Sequence, residues 1–366
     1  MTAAQLISFA RGAPSLDIVD VAGLKAAAIR AFDVDPASVT GYGPGTGYGP
    51  LREWVARRHG VEVDQVLITN GSLQADAFLF EHVVSPGDDV IVEKPTYDRT
   101  LLNLKNMGAK IHQVSLDQDG LDVDELRRLL ESGLRPKLAH IIPNFQNPAG
   151  MTLSVQRRQQ LIALASQYEF TIFEDDPYVD IRFRGETLPS LLSLDTAGTV
   201  VNAGSFTKTV CPGVRVGYLI GPTATIADIA KRAVNTYISP NMLSEVTVHQ
   251  FCASGDIDRS IATVRRALEE RSTLLGEALR REIPNCSFNQ PDGGYFLWVE
   301  LPEDVDVDKL LPAATARGVA VVKGSDFLLH GGHHALRLAF SAVLTEQVDE
   351  GVRRLAAAIA DVRATA

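Results

Sequence analysis

The 366-residue chain reads as an α/β protein, with a mostly parallel seven-stranded sheet in a large domain and a smaller α+β domain beside it. Three observations predict this. From about residue 66 to 237, short apolar runs alternate with helical patterns, the signature of a parallel sheet covered on both faces. After Asp256 that alternation gives way to one long charged helical segment followed by closely spaced strands. No internal repeat, low-complexity tract or long linker interrupts either part.

Taken in order, the glycine-rich stretch Gly41-Tyr42-Gly-Pro-Gly-Thr-Gly-Tyr-Gly49 reads as a turn before a helix at 51–58. It fits neither G-x-G-x-x-G nor G-x-x-x-x-G-K, so it is not taken for a nucleotide loop. Strands are expected at 66–69, 89–93, 110–116, 138–143, 170–175, 200–205 and 216–221. Helices are expected at 73–84, 97–107, 122–131, 154–168 and 224–237. Ser154 stands just before an amphipathic run, where its hydroxyl can accept from the first free amides. Beyond Asp256 the expected elements are a helix at 256–282, strands at 287–301, 318–323 and 336–341, and a final helix from Thr345. The expected division is a large domain at 39–255 and a small domain formed by 1–38 and 256–366.

Composition narrows the functional classes. Apolar residues make up 45% and charged residues 22%, as in ordinary globular proteins. Thirty-five basic against forty-five acidic side chains give a formal net charge of −10, which argues against a broad nucleic-acid or acidic-membrane footprint. The first residues lack a basic region followed by a long apolar stretch, and no run reaches membrane-spanning length, so a cytoplasmic location is expected. Because the first motif begins at Phe9, no separate DNA-binding domain is expected ahead of it. Cys211, Cys252 and Cys286 are odd in number and widely spaced, which suggests neither a disulfide framework nor a zinc site. His330-Gly-Gly-His333-His334 resembles a metal cluster by composition only, so no metal is expected.

The most informative stretch is Asn202-Ala-Gly-Ser-Phe-Thr-Lys208-Thr-Val-Cys-Pro-Gly-Val-Arg215-Val-Gly217. It sets one lysine between an apolar strand and a second cation. Desolvation and the like charge of Arg215 should pull the ammonium pKa down, leaving a nucleophilic amine suited to Schiff-base chemistry. Upstream stand Phe173-Glu-Asp175-Asp-Pro-Tyr178 and Asn144-Phe-Gln-Asn147-Pro-Ala-Gly150, each closing an apolar run. In parallel sheets, ligands gather beyond the carboxyl ends of the strands, where these residues fall.

The order Asn-Pro-x-Gly, Asp-x-x-Tyr, then Ser-x-x-Lys with an arginine seven residues on resembles the fold-type I pyridoxal-phosphate (PLP) enzymes of the class I/II aminotransferases. The likeness is strongest to the aminoadipate and kynurenine aminotransferase subgroup, which includes the catalytic half of certain transcription regulators. It runs from Phe9-Ala-Arg-Gly-Ala-Pro14 to Leu336-Arg-Leu-Ala-Phe-Ser341. The resemblance implies that Lys208 forms the internal aldimine with PLP and then acts as the base that moves the Cα proton. It implies that Asp175 pairs with the pyridine nitrogen, that Asn147 and Tyr178 hold the phenolic oxygen, and that Tyr97 stacks on the ring. Ser205, Thr207, Arg215, Ser72 and the Leu73 amide would take the phosphate, the last two at a helix N-terminus. Relatives often carry a polar residue at the Leu73 position, so only its backbone contact carries over. Tyr42 would reach the phosphate of a neighbouring subunit, making a homodimer with shared sites. Arg337 would bind the substrate α-carboxylate, with Asn147 and Gly12 beside it. Arg11 stands where relatives often have a small residue, and is taken as a further candidate for substrate contact.

The activity implied is transfer of an amino group from an amino acid to a 2-oxo acid in a ping-pong cycle. Decarboxylation, β- or γ-elimination, oxidation, and a PLP-dependent regulatory sensor remain as alternatives on the same cofactor. The motifs alone do not choose which bond to Cα breaks.

Overall fold

The computed structural model describes residues 6–364. At its centre lies an eight-stranded sheet in the order Val66–Thr69, Gly217–Ile220, Val200–Ser205, Thr171–Asp175, Leu138–Ile141, Asp89–Lys94, Lys110–Asp117, Gly120–Leu121. All seven strands expected from the sequence are present. The count is corrected to eight by Gly120–Leu121, which pairs antiparallel with Lys110–Asp117. A two-residue strand is too short to show alternation, so its sequence carries only a turn signal.

The inner strands of this sheet are buried on both faces, which is why they read as continuous apolar runs. Alternate residues serve opposite layers, as the two-residue period of a strand requires. Ile91, Ala139 and Ile172 pack with Leu126, Leu161 and Leu164 of helices Val123–Glu131 and Val155–Tyr168. Val92, Leu138 and Phe173 pack with Leu79, Leu101 and Ile226 of helices Ser72–Val83, Asp98–Asn106 and Thr223–Tyr237. These five helices match the expected ones to within a residue or so. Ser154 caps Val155–Tyr168, its Oγ accepting from the Arg157 amide at 3.5 Å.

Strand direction places the site. Gly217–Ile220 runs against both of its neighbours, so Val66–Thr69 and Val200–Ser205 point the same way. Thr171–Asp175 and Leu138–Ile141 are parallel to Val200–Ser205. The segments that follow these four strands therefore leave from one edge of the sheet.

The second part is built on the expected helix Asp256–Glu282. A four-stranded antiparallel sheet runs Ser287–Phe288, Phe296–Glu300, Ala335–Ala339, Val322–Lys323. The span expected as one strand at 287–301 is thus split. Its middle, Gln290-Pro-Asp-Gly-Gly294, holds a proline without an amide donor and two glycines. The span at 318–323 is likewise two short strands, of which Val319–Ala320 pairs in parallel with Ile7–Ser8. Phe9 continues from that pairing into a core shared with Leu275, Leu338 and Leu355.

Five α-helices of the described residues were not anticipated from the sequence: Val21–Val34, Pro36–Thr40, Leu191–Leu194, Met242–Ala253 and Val307–Ala316. Val21–Val34 packs on Met242–Ala253, its Ala27 and Ala31 buried with Val246 and Phe251. Arg30 adds an ion pair to Asp256 at 3.0 Å.

Candidate active site

At that edge of the sheet a cavity of about 370 Å³ lies between the two parts of the chain. Lys208, Asp175, Tyr178 and Asn147 line it, as do Ser72, Leu73, Tyr97, Ser205, Thr207 and Arg215. Gly12 and Arg337 close it from the other side. Residues separated by more than three hundred positions thus meet in one space. Two candidates are not among the lining residues. Tyr42 is 86% exposed; Arg11 is also exposed, and its carbonyl accepts from Ser341 Oγ at 3.4 Å.

Lys208 follows the strand Val200–Ser205 by three residues, and its amine donates to the Gly12 carbonyl at 3.1 Å. It faces the rings of Tyr295 and Tyr178 at 4.8 and 5.4 Å. Burial brings its pKa down from 10.5 to about 8. The Asp175 carboxylate opposes that shift, while Arg337 and then Arg215 add to it. The direction agrees with the sequence argument, but Arg337 is the stronger of the two cations and could not be paired with Lys208 from local spacing.

Asp175 is the last residue of Thr171–Asp175 and is buried. Its Oδ2 lies 3.5 Å from Nε2 of His140, and its Oδ1 has no partner within the protein. His140 is fully buried on the neighbouring strand, against Phe80 and Phe173, with Thr100 Oγ1 3.4 Å from its Nε2. Tyr178 is likewise buried, and burial pushes its phenol well above the ordinary value, with Tyr97 and Asp175 adding to it. Tyr97 precedes helix Asp98–Asn106, and its phenol is pushed up to about 12, mainly by burial.

One end of the cavity suits an anion. Helix Ser72–Val83 begins after Gly71, and no side chain caps its first amides. Gly71 sits at φ 85°, and a Cβ there would stand 2.3 Å from Nη2 of Arg215. The guanidinium therefore lies directly over the start of the helix, and any larger residue at 71 would displace it. Arg215 itself has φ 49°, a left-handed turn that returns the chain into Gly217–Ile220. Ser205 Oγ accepts from the Thr207 amide at 3.1 Å, ordering the loop on the same side.

At the opposite end, Arg337 rises from the strand Ala335–Ala339. It donates from Nη1 to Asn147 Oδ1 and from Nη2 to the Ala10 carbonyl, both at 3.0 Å. The guanidinium lies 4.3 Å from the Phe296 ring centroid and 4.8 Å from that of Phe327. Burial lowers its pKa, and its Nε is buried without a protein partner. Phe296 also covers Gly12, where a Cβ would come within 2.5 Å of the ring.

Asp76, Asp98, Arg99, Ile142, Pro177 and Phe296 line the cavity without having been candidates. Phe296 stands in an apolar run with Tyr295 and Leu297, both fully buried, and reads as core. Asp76 reads as a solvent-facing acid of an amphipathic helix. Asp98 and Arg99 follow Tyr97 directly, so proximity to that motif is the one signal that could have found them. Among the described residues, no group of three or more His, Cys, Asp or Glu could hold a metal ion. No helix of the described residues is long and apolar enough to cross a membrane.

The family model for aminotransferase class I and II matches residues 4–355. Aromatic-amino-acid aminotransferase 1 of Thermococcus litoralis is 33% identical, over 97% of this chain and 88% of its own. The kynurenine aminotransferase of Pyrococcus horikoshii, solved in complex with PMP, superposes with a TM-score of 0.93 at 32% identity, covering 98% of this chain and 92% of its own. The alpha-aminoadipate aminotransferase of Thermus thermophilus, solved with N-(5'-phosphopyridoxyl)-L-leucine, gives 0.94 at 30%, covering 99% and 94%. With a fold-type I architecture, a half-buried lysine of lowered pKa and phosphopyridoxyl compounds bound in its neighbours, the chain belongs to the class I and II aminotransferases and is a PLP-dependent aminotransferase.

Proposed function

We propose that the cavity holds PLP with its phosphate at the Ser72 end, its ring nitrogen at Asp175 and its reactive carbon at Lys208, and that an α-amino acid enters beside Arg337. The observation carrying this reading is the burial of the Lys208 amine in one cavity with Asp175, Arg215 and Arg337. The donor set fits the group. Uncapped helix amides and the Arg215 guanidinium suit a phosphate. The unpartnered Oδ1 of Asp175 suits a protonated ring nitrogen, and the buried Nε of Arg337 suits a carboxylate.

When bound, PLP supplies an electron-withdrawing ring that accepts the electron pair left at Cα. Each residue then has a separate task. The Lys208 amine would hold the cofactor and, when free, would serve as the base that moves the substrate Cα proton. Asp175 keeps the ring nitrogen protonated, with His140 behind it. Tyr97 would lie against the ring, Asn147 and Tyr178 would donate to the phenolic oxygen, and Ser205, Thr207, Arg215 and the Ser72 and Leu73 amides would hold the phosphate. Arg337, oriented by Asn147, would grip the α-carboxylate and hold it fixed, which would favour loss of the Cα proton over loss of carbon dioxide. Gly12 leaves room for the substrate under Phe296. Arg11, outside the cavity, contacts substrate only at the entrance.

We further propose a cytoplasmic homodimer that binds no nucleic acid. Tyr42, exposed on the glycine-rich loop, would complete the phosphate site of the partner. Mixing a Lys208→Ala chain with a Tyr42→Ala chain should then restore part of the activity that each lacks alone. The domain division proposed is 39–255 against 1–38 with 256–366. Within it residues 7–9 belong to the small domain, and helix Val21–Val34 bridges to the large one.

The related enzymes act, by their names, on aromatic amino acids, kynurenine and aminoadipate, and these order the panel of donors to try. The test is a single turnover with a donor and no oxo acid. It should yield pyridoxamine phosphate and one equivalent of 2-oxo acid and then stop. Carbon dioxide release, or continued ammonia production with the cofactor still an aldehyde, would refute the reading.

A further inference from the structure

The helix that offers its N-terminus to the anion site also carries an acid the mechanism does not use. Asp76 lies on the second turn of Ser72–Val83, is 2% exposed and lines the same cavity as Asp175. It lies beyond the first turn, and no side chain at the N-cap position, Gly71, caps the helix. Its Oδ1 is buried without a partner, as is Oδ1 of Asp175. A leucine there would fill the same space at no cost in desolvation, so the carboxyl group calls for a role.

We propose that Asp76 is a positioning residue of the cofactor pocket, present as the neutral acid, and that it donates a hydrogen bond to Asp175 and so fixes that carboxylate for the ring nitrogen. Two carboxyl groups in one dry pocket cannot both ionise cheaply, so one retains a proton. Burial first, and then the charge of Asp175, raise the Asp76 pKa well above the ordinary carboxyl value, against a contact from its own backbone amide. The assignment of the proton follows from the surroundings. Asp175 has a nitrogen partner, Nε2 of His140 at 3.5 Å, and shares the cavity with the Lys208 amine. Asp76 has no such nitrogen partner. The other charged or titratable groups lining the pocket are Asp98, Arg99, Tyr178, Arg337, Arg215 at the anion end, and Tyr97, whose phenol is raised by burial and then by Asp98, Asp175 and Asp76.

The proposal rests on the PLP reading, and its test separates the two. The probe is 4'-deoxypyridoxine 5'-phosphate, which has the ring and phosphate of the cofactor but no aldehyde, so Lys208 cannot trap it. Its affinity for cofactor-free wild type, Asp76→Asn and Asp76→Leu is measured by calorimetry from neutral to alkaline pH. Asparagine keeps a donor and cannot ionise; leucine keeps only the bulk. At neutral pH the asparagine variant should bind as wild type does. The leucine variant should bind roughly tenfold or more weakly, the worth of a hydrogen bond to a charged group. As pH rises and Asp76 ionises, wild type should weaken relative to the asparagine variant, whose profile lacks that step. Titration of Lys208 is common to both and cancels. Leucine binding equal to wild type, or coincident pH profiles for wild type and asparagine, would overturn the role of Asp76 and leave the cofactor reading intact. Failure of wild type to bind the probe would overturn both. Should the leucine variant not fold, the comparison of wild type with asparagine decides alone.

Discussion

Replacing Arg337 by lysine keeps one positive charge and removes the planar fork. In the structure the guanidinium spends Nη1 on Asn147 and Nη2 on the Ala10 carbonyl, each at 3.0 Å, and is held between the rings of Phe296 and Phe327. A single ammonium on a flexible stem cannot keep both anchors and also present two parallel donors to a carboxylate. One hydrogen bond to a charged group is worth about 1.5–3 kcal/mol. Losing it should raise KM by roughly ten- to a hundredfold, for the amino donor and the oxo acceptor alike, because both carry the α-carboxylate. PLP affinity should be unchanged, since Arg337 lies at the end of the cavity away from the anion site. Steady-state kinetics with both substrates, and cofactor titration of the emptied protein, test this together. Unaltered KM values for both substrates would refute the placement of Arg337 at the α-carboxylate. A large loss of PLP affinity with unaltered KM would move it to the cofactor.

Asp175→Ala should leave a folded protein that still binds PLP but removes the Cα proton very slowly. Losing one partner of a buried ion pair costs roughly 3–5 kcal/mol, or on the order of a hundredfold to several thousandfold in kcat if all of it enters the barrier; near-normal single turnover would contradict the role. The amine of Lys208 attacks only when neutral, so capture of PLP by the emptied protein should accelerate with pH and level off past a midpoint near 8, its lowered pKa. Arg337→Met removes a cation that lowers that pKa and should move the midpoint upward; a wild-type midpoint at the ordinary lysine value would refute the burial argument.

The legible parts of this protein were those whose signal is local. Most strands of the large sheet announced themselves as apolar runs because both faces are covered, and Lys208, Asp175 and Asn147 stood at the end of those runs or within a few residues of it. Met242–Ala253 gave no helical period because it is buried nearly all round, including Glu245 and Thr247. Glu245 is held there by the Tyr48 amide at 2.6 Å, a contact across 197 positions that no window of sequence reveals. His140 was one polar residue inside an apolar strand; its meaning depends on Asp175 in the next strand. Asp76 illustrates the same limit, since an acid on a helix is ordinarily solvated, and only the tertiary arrangement turns it toward a cavity. Arg337 was identified by resemblance, but its packing against Phe296 and Phe327 requires the fold.

The central claim is that Lys208 is the residue that carries the cofactor. Borohydride reduction of the PLP-loaded protein followed by peptide mapping tests it most directly. The account predicts one pyridoxyl group per chain, on the peptide containing Lys208, and none in Lys208→Ala. A pyridoxyl group on any other lysine, or undiminished labelling of the alanine variant, would contradict it.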